Sequence, residues 1–296
     1  MPIIDKLIDR IVAMQNPTCV GLDTIFDYLP EDMRAGAEDN AAIAERIFEF
    51  NKNIIDGVCD IVPSVKIQIA CYEMYGAAGI ACFERTADYA KQKGLFVIAD
   101  GKRNDIGNTA GFYAAAFLGE RATCAVDFLT VNGYLGTDGI QPFVDVCKQN
   151  DKGLFALVKT SNPSSGEFQN LLLQDGRTVY EYMGGLVEKW GKELVGKYGY
   201  SSVGAVVGAT HPEEAARLRA EFPHMFFLIP GYGAQGGNAE MLRRCFDGRG
   251  LGGVVNNSRG VLCAYKKKGG TYFAAARQAC IDMQRDLASV IGPMGR

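Results

Sequence analysis

The sequence predicts an α/β fold, a TIM (β/α)8 barrel, on three observations. Eight short apolar runs rich in β-branched and aromatic residues recur along the chain, most ending in a polar residue or a Gly. Segments of helical period separate them. At 296 residues the chain has the size of one such barrel. The rival is a doubly wound parallel sheet, which usually needs a Gly-rich turn after its first strand. Here the first run ends Gly21-Leu22-Asp23-Thr24, with no G-x-G-x-x-G, so the barrel is preferred.

Strands are expected at 18–23, 64–69, 95–100, 126–131, 154–159, 203–208, 225–230 and 252–257. Several are apolar almost throughout, as parallel strands covered on both faces should be. After the first strand, 41–58 puts Ile43, Ile47, Phe48, Ile54 and Ile55 on one helical stripe, and 85–93 and 212–221 read as further helices. The connection after the fifth strand, 162–200, is long for a βα loop. It is expected to hold a helix at 179–197, followed by Gly199. No low-complexity linker divides the chain, so we expect a single domain over 1–296 with an extended loop and helix insertion after strand five.

Composition narrows the function classes. A net charge of −3 and a pI of about 5.6 argue against nucleic acid or an anionic membrane as partner. The basic run Lys266-Lys267-Lys268 reads as a solvated approach to a helix. No run of apolar residues is long enough to span a bilayer. The nine cysteines include no CxxC pair, and only two histidines occur, which argues against a zinc site and for a reducing compartment. The N-terminus carries charge every few residues, unlike a signal peptide. A cytoplasmic location is therefore expected.

In such a barrel the polar groups at the C-terminal strand ends face the substrate. They are Asp23, Lys66, Asp100 with Lys102, Asn132, residues 159–162, residues 230–237 and residues 258–260. Within Asp100-Gly101-Lys102-Arg103-Asn104-Asp105-Ile106, strand alternation should project Asp100 and Lys102 to one face. Taken alone, that pair reads equally as an ordinary ion pair at the rim. Lys66, in the apolar strand Val65-Lys66-Ile67, must point inward to charge or reach out at the rim. An inward Lys66 would complete a Lys-Asp-Lys array suited to holding an anion and protonating a carbanion. After strands seven and eight, Pro230-Gly231-Tyr232-Gly233-Ala234-Gln235-Gly236-Gly237 and Asn256-Asn257-Ser258-Arg259-Gly260 have the character of a phosphate site. Arg259 would clamp the dianion; a flexible Gly loop with a surface Arg is the alternative.

The stretch from Asp100 to Ile106, followed by Gly107-Asn108-Thr109-Ala110, resembles the DxKxxDI signature of the orotidine 5′-phosphate decarboxylase family. The flanking text resembles that family's longer bacterial form (type 2). Val65-Lys66-Ile67-Gln68-Ile69-Ala70, Val158-Lys159-Thr160-Ser161-Asn162-Pro163 and residues 230–237 fit the same pattern, so the likeness runs from Val20 to Arg259. The signature by itself is shared with related sugar-phosphate barrels; Lys66, the Ser161 loop, Gln235 and Arg259 in this order make it specific.

The resemblance implies decarboxylation of orotidine 5′-monophosphate to UMP, the last step of pyrimidine biosynthesis, with no metal or organic cofactor. Lys102 matches the proton donor to C6 of the pyrimidine. Lys66, Asp100 and Asp105 match the rest of a hydrogen-bonded charge array. Asp105, Ile106 and Thr109 are implied to reach the neighbouring subunit's site, hence a homodimer. Asp23 and Lys66 match contacts to the ribose hydroxyls, Ser161 the residue that reads the pyrimidine edge, and Gln235 and Arg259 the phosphate grip. Pro230 and Ser258 belong to the same two loops and are expected at the substrate. Asn132-Gly133-Tyr134 departs from the pattern, where a proline would be expected. A magnesium-dependent sugar-phosphate barrel would need an acidic ligand where Lys66 sits. An inactive nucleotide sensor would not need all four charged positions.

Overall fold

A computed structural model describes residues 1–233 and 236–295. Eight parallel strands close in sequence order into a barrel: β1 (Thr18–Gly21), β2 (Ser64–Gln68), β3 (Phe96–Arg103), β4 (Phe128–Val131), β5 (Gly153–Lys159), β6 (Val203–Val207), β7 (Phe227–Ile229) and β8 (Gly253–Asn257). Each expected strand is present. The β1 register onto β8 pairs Cys19 with Asn256, which closes the ring. Central strand residues are buried on both faces, which is why these runs read as nearly continuous apolar text.

The longer α-helices among the described residues are α1 (Ile3–Met14), α2 (Asn40–Val58), α3 (Gly76–Gln92), α4 (Gly107–Leu118), α5 (Thr137–Asn150), α6 (Val179–Gly191), α7 (Pro212–Glu221) and α8 (Tyr272–Ile291). In α2 the Asp39 carboxylate accepts from the Ala42 N–H and caps the helix. Its buried stripe is Ile47, Phe50, Ile54, Ile55 and Val58, with Ile43 and Phe48 packed at the edge. The apolar face of α1 packs with Tyr200, Phe226 and Leu251, which precede β6, β7 and β8. It therefore closes the end where strands begin and leaves the opposite mouth to the site.

Two helix boundaries differ from expectation. The helix read at 85–93 begins at Gly76, because the Ala- and Gly-rich first turns carry too little apolar contrast to show a period. The helix read at 179–197 ends at Gly191 and gives way to a 3-10 turn, Lys192–Leu194. Its cause is Ser201, whose hydroxyl donates to the Gly191 carbonyl at 2.8 Å. That carbonyl would otherwise serve the next helical turn. A capping box at Thr178 and Glu181 fixes the start of α6. The 162–200 insertion thus packs α6 against α5 and β5. It also explains Gly133: a Cβ there would lie 2.9 Å from Met183 Sδ and 3.1 Å from the Trp190 ring. Lys266 and Lys267 are exposed on a single turn, Tyr265–Lys268, as a solvated run should be. Among the described residues, no helix is long and apolar enough to cross a membrane.

Candidate active site

A cavity of about 600 Å³ opens at the C-terminal mouth of the barrel. Asp23, Lys66, Asp100, Lys102, Ser161, Pro230, Ser258 and Arg259 all line it. The expected charge array and the two phosphate-type loops therefore share one space.

Four charged groups form a connected ladder. Lys66 Nζ stands 2.6 Å from Asp23 Oδ1 and 3.0 Å from Asp100 Oδ2. Lys102 Nζ lies 2.6 Å from Asp100 Oδ1. Ser258 extends the chain by donating to Asp23 Oδ2 at 2.6 Å. Asp100 also accepts from Thr130 Oγ1 at 2.8 Å and from Gln68 Nε2 at 3.2 Å. Lys66 is only 3 % exposed and Asp100 7 %, so each charge at this depth requires opposite charge beside it. Burial works to neutralise Lys66, but Asp23 and Asp100 outweigh it and hold the ammonium well above its ordinary range. Burial likewise raises Asp100, yet Lys66 and Lys102 overcome it and keep the carboxyl well below the usual carboxylate range. Lys66 and Asp100 are therefore both charged at neutral pH.

Strand alternation alone does not bring Asp100 and Lys102 together. The pairing of β3 with β4 shifts register between Ala99 and Arg103. Inside that irregularity Lys102 adopts φ +47°, in the left-handed region. Its N–H donates to Thr130 Oγ1 at 2.9 Å, so one threonine fixes both the Lys102 backbone and the Asp100 carboxylate. The expected juxtaposition holds, through a bulge instead of a regular strand.

Asp105, Ile106 and Thr109 do not line the cavity. Asp105 Oδ1 accepts the Ile106 N–H at 2.8 Å at the start of α4, and within the chain it is not part of the ladder. Around it the surface is apolar: Ile106, Phe112, Tyr113, Tyr134 and Leu135 are exposed, Phe112 at 73 %. Gln235 lies outside the described residues. Asn132 turns away from the cavity and caps the 3-10 turn Gly133–Leu135 through the Tyr134 N–H.

Residues given no individual role from the sequence complete the site, two of them, Asn256 and Asn257, within the expected phosphate-type segment. Gln68 sits two positions after Lys66 on β2, a spacing that could have flagged it. Thr130 is a lone hydroxyl in an apolar strand, and Asn256 and Asn257 close β8 against the cavity. Gln169 comes from the insertion, with no local signal. Burial pushes the nearby Cys19 thiol up to about 12 and Cys71 to about 11, so neither thiol is activated.

The chain as a whole is similar to known proteins. The family model "Orotidine 5′-phosphate decarboxylase / HUMPS family" matches residues 19–269. A Clostridium acetobutylicum orotidine 5′-phosphate decarboxylase is 43 % identical over 292 residues, covering 98 % of this chain and all of that protein. The Clostridium novyi protein of the same name is 44 % identical over 289 residues, covering 96 % of this chain and 98 % of its own length. Among solved structures, Leishmania donovani OMP decarboxylase superposes with a TM-score of 0.73 at 29 % identity, covering 97 % of this chain and 99 % of that one.

Proposed function

Because the chain belongs to the orotidine 5′-phosphate decarboxylase family and so forms UMP from orotidine 5′-monophosphate, we propose that Lys102 is its proton donor and that protein charge replaces any cofactor. The observation that carries this reading is the Asp23–Lys66–Asp100–Lys102 ladder at the cavity floor.

The chemistry is difficult because breaking the C6–carboxylate bond leaves an electron pair on C6 in the ring plane, outside the π system. An ammonium fixed beside C6 stabilises that pair as it develops and then transfers a proton to it. Asp100, held ionised, aims the Lys102 ammonium. The proton moves from Lys102 Nζ to C6, carbon dioxide leaves, and the neutral amine regains a proton from solvent. The Lys102 side chain is 44 % exposed, which supports that last step.

In this reading Asp23 and Lys66 hold the ribose hydroxyls, Ser161 reads the pyrimidine edge, and Pro230, Ser258 and Arg259 with Gln235 grip the phosphate. Phosphate binding supplies energy for closing the loop over the substrate. Asp105, Ile106 and Thr109 serve the site of a second copy. The exposed apolar patch beside Asp105 supports a homodimer of this kind. We read residues 1–296 as one unit, supported by α1 and α8 both packing on the barrel from opposite ends of the chain, and we place it in the cytoplasm.

The test is the loss of orotidine 5′-monophosphate absorbance in EDTA, with Lys102→Ala alongside. Wild-type turnover should persist in chelator, and the variant should lose about 10⁴-fold or more of it, combining proton-transfer and electrostatic terms. Folded wild-type protein without turnover, or turnover restored only by magnesium, would sink this reading.

A further inference from the structure

Ser161 is held from two sides. Its neighbours in sequence are both tied through their side chains. Gln169 Oε1 accepts the Thr160 N–H at 3.0 Å, and Gln169 Nε2 donates to Thr160 Oγ1 at 2.7 Å. Thr160 Oγ1 donates in turn to Asn162 Oδ1 at 2.6 Å. One residue back, Lys159 Nζ donates to Asn170 Oδ1 at 2.8 Å. Residues 159 and 160 at the end of β5 are thus strapped to residues 170 and 169 of the insertion.

Lys159 is fully buried. Burial pulls its ammonium below the ordinary lysine range, with Glu214 partly offsetting it. Besides the Asn170 amide it meets the face of Tyr180, 5.6 Å from the ring centroid. A buried cation served by a neutral amide and a ring is a costly way to fill space, which suggests that the tie itself matters.

The opposite side is closed by Gly208, just past β6. A Cβ there would lie 2.9 Å from the N, Cα and Cβ of Ser161. Its N–H is bonded to the Lys159 carbonyl at 2.7 Å. The Ser161 backbone therefore cannot retreat toward β6 or lift away from the Gln169 strap.

We propose that Gln169, with Asn170 anchored on Lys159, is a positioning residue that sets Ser161 against the pyrimidine, with Gly208 as the backstop. This assigns a role to the insertion: it orders the base-reading loop without itself carrying out chemistry. The proposal rests on the reading of Ser161 as the base contact.

A pair of ligands separates positioning from general stability. UMP reports base, ribose and phosphate contacts together, whereas ribose 5-phosphate reports only the last two. Both are titrated as inhibitors of turnover with the full-length protein. Gln169→Ala should weaken UMP about tenfold and lower kcat/KM by a similar factor, with ribose 5-phosphate changed by less than about twofold. Thr160→Val keeps the backbone bond to Gln169 and removes the hydroxyl one, so a smaller loss of about threefold is expected. Gly208→Ala should cost up to about a hundredfold. If it does not fold, the other two variants still decide. Unchanged UMP affinity in Gln169→Ala, or equal weakening of both ligands, overturns the proposal. If Ser161→Ala itself leaves UMP binding intact, the base-contact reading has failed and takes the strap with it. If Ser161→Ala weakens UMP and Gln169→Ala does not, only the strap has failed.

Discussion

The Lys66 ammonium and the Asp100 carboxylate, on adjacent strands, meet at 3.0 Å in a nearly solvent-free floor. Asp100 is held below its ordinary range, so its contribution to stability is present above about pH 4 and is lost as pH falls through the depressed value. Lys66 is held above its ordinary range, so its contribution is present below about pH 10 and is lost as pH rises through the raised value. Between those limits the pair should be insensitive to pH. Lys66→Met removes the cation between Asp23 and Asp100 and leaves the buried Asp100 with Lys102 as its counter-ion, which should destabilise the neutral protein by about 3 kcal/mol. Acid relieves the excess negative charge left behind, so the deficit should shrink as pH falls from 8 to 4. Thermal melts across that range check it; a deficit independent of pH would show that packing, not charge, is what Lys66 contributes.

Arg259 should act on the phosphate and not on C6. Arg259→Ala is expected to lower kcat/KM for orotidine 5′-monophosphate about a hundredfold or more, the scale of losing one side of a charge-assisted pair. The same variant should change turnover of orotidine, which has no phosphate, far less. Equal losses on both substrates would remove Arg259 from the phosphate grip.

Asp105 lies outside its own chain's cavity, which gives a direct test of shared sites. Asp105→Ala and Lys102→Ala should each be nearly inactive alone. Mixed under conditions that exchange subunits, they should regain roughly a quarter of the wild-type activity, because half the dimers then carry one intact site. Continued inactivity after verified exchange would place Asp105 in its own chain's chemistry.

Gly133 is required by what covers it. Gly133→Ala would press a methyl group against Met183 and Trp190, and overpacking of this kind costs about 1–3 kcal/mol. A lowered Tm is expected, with UMP affinity largely preserved, since Gly133 does not line the catalytic cavity. A Tm equal to wild type would mean that the insertion gives way easily there.

The barrel was legible because strands buried on both faces must be written in apolar residues, and any charge at their ends stands out. Asp23, Lys66, Asp100 and Lys102 were visible for that reason. Thr130 was not, since one hydroxyl in Phe128-Leu129-Thr130-Val131 reads as β-branched filler until its two partners are seen. Gln169 was invisible because the single turn Gly166–Gln169 has no period, and its place is set by tertiary bonds to Thr160. The bulge at Lys102 was equally hidden, since it arises from the register between β3 and β4. The end of α6 is hidden for a similar reason: the Gly191 carbonyl there is taken by Ser201, ten residues further on.

At position 102 the backbone and the chemistry make opposite demands. A left-handed φ suits glycine or asparagine, and a lysine held there gives up about 1 kcal/mol. Glycine at this position would relieve the backbone but remove a counter-ion of the buried Asp100, so the strain is held in place by the ion pair. A library sorted only for folding would weigh that strain against that ion pair and be blind to the role proposed for the residue in making UMP. Stability screens on this scaffold need a turnover filter to keep it alive.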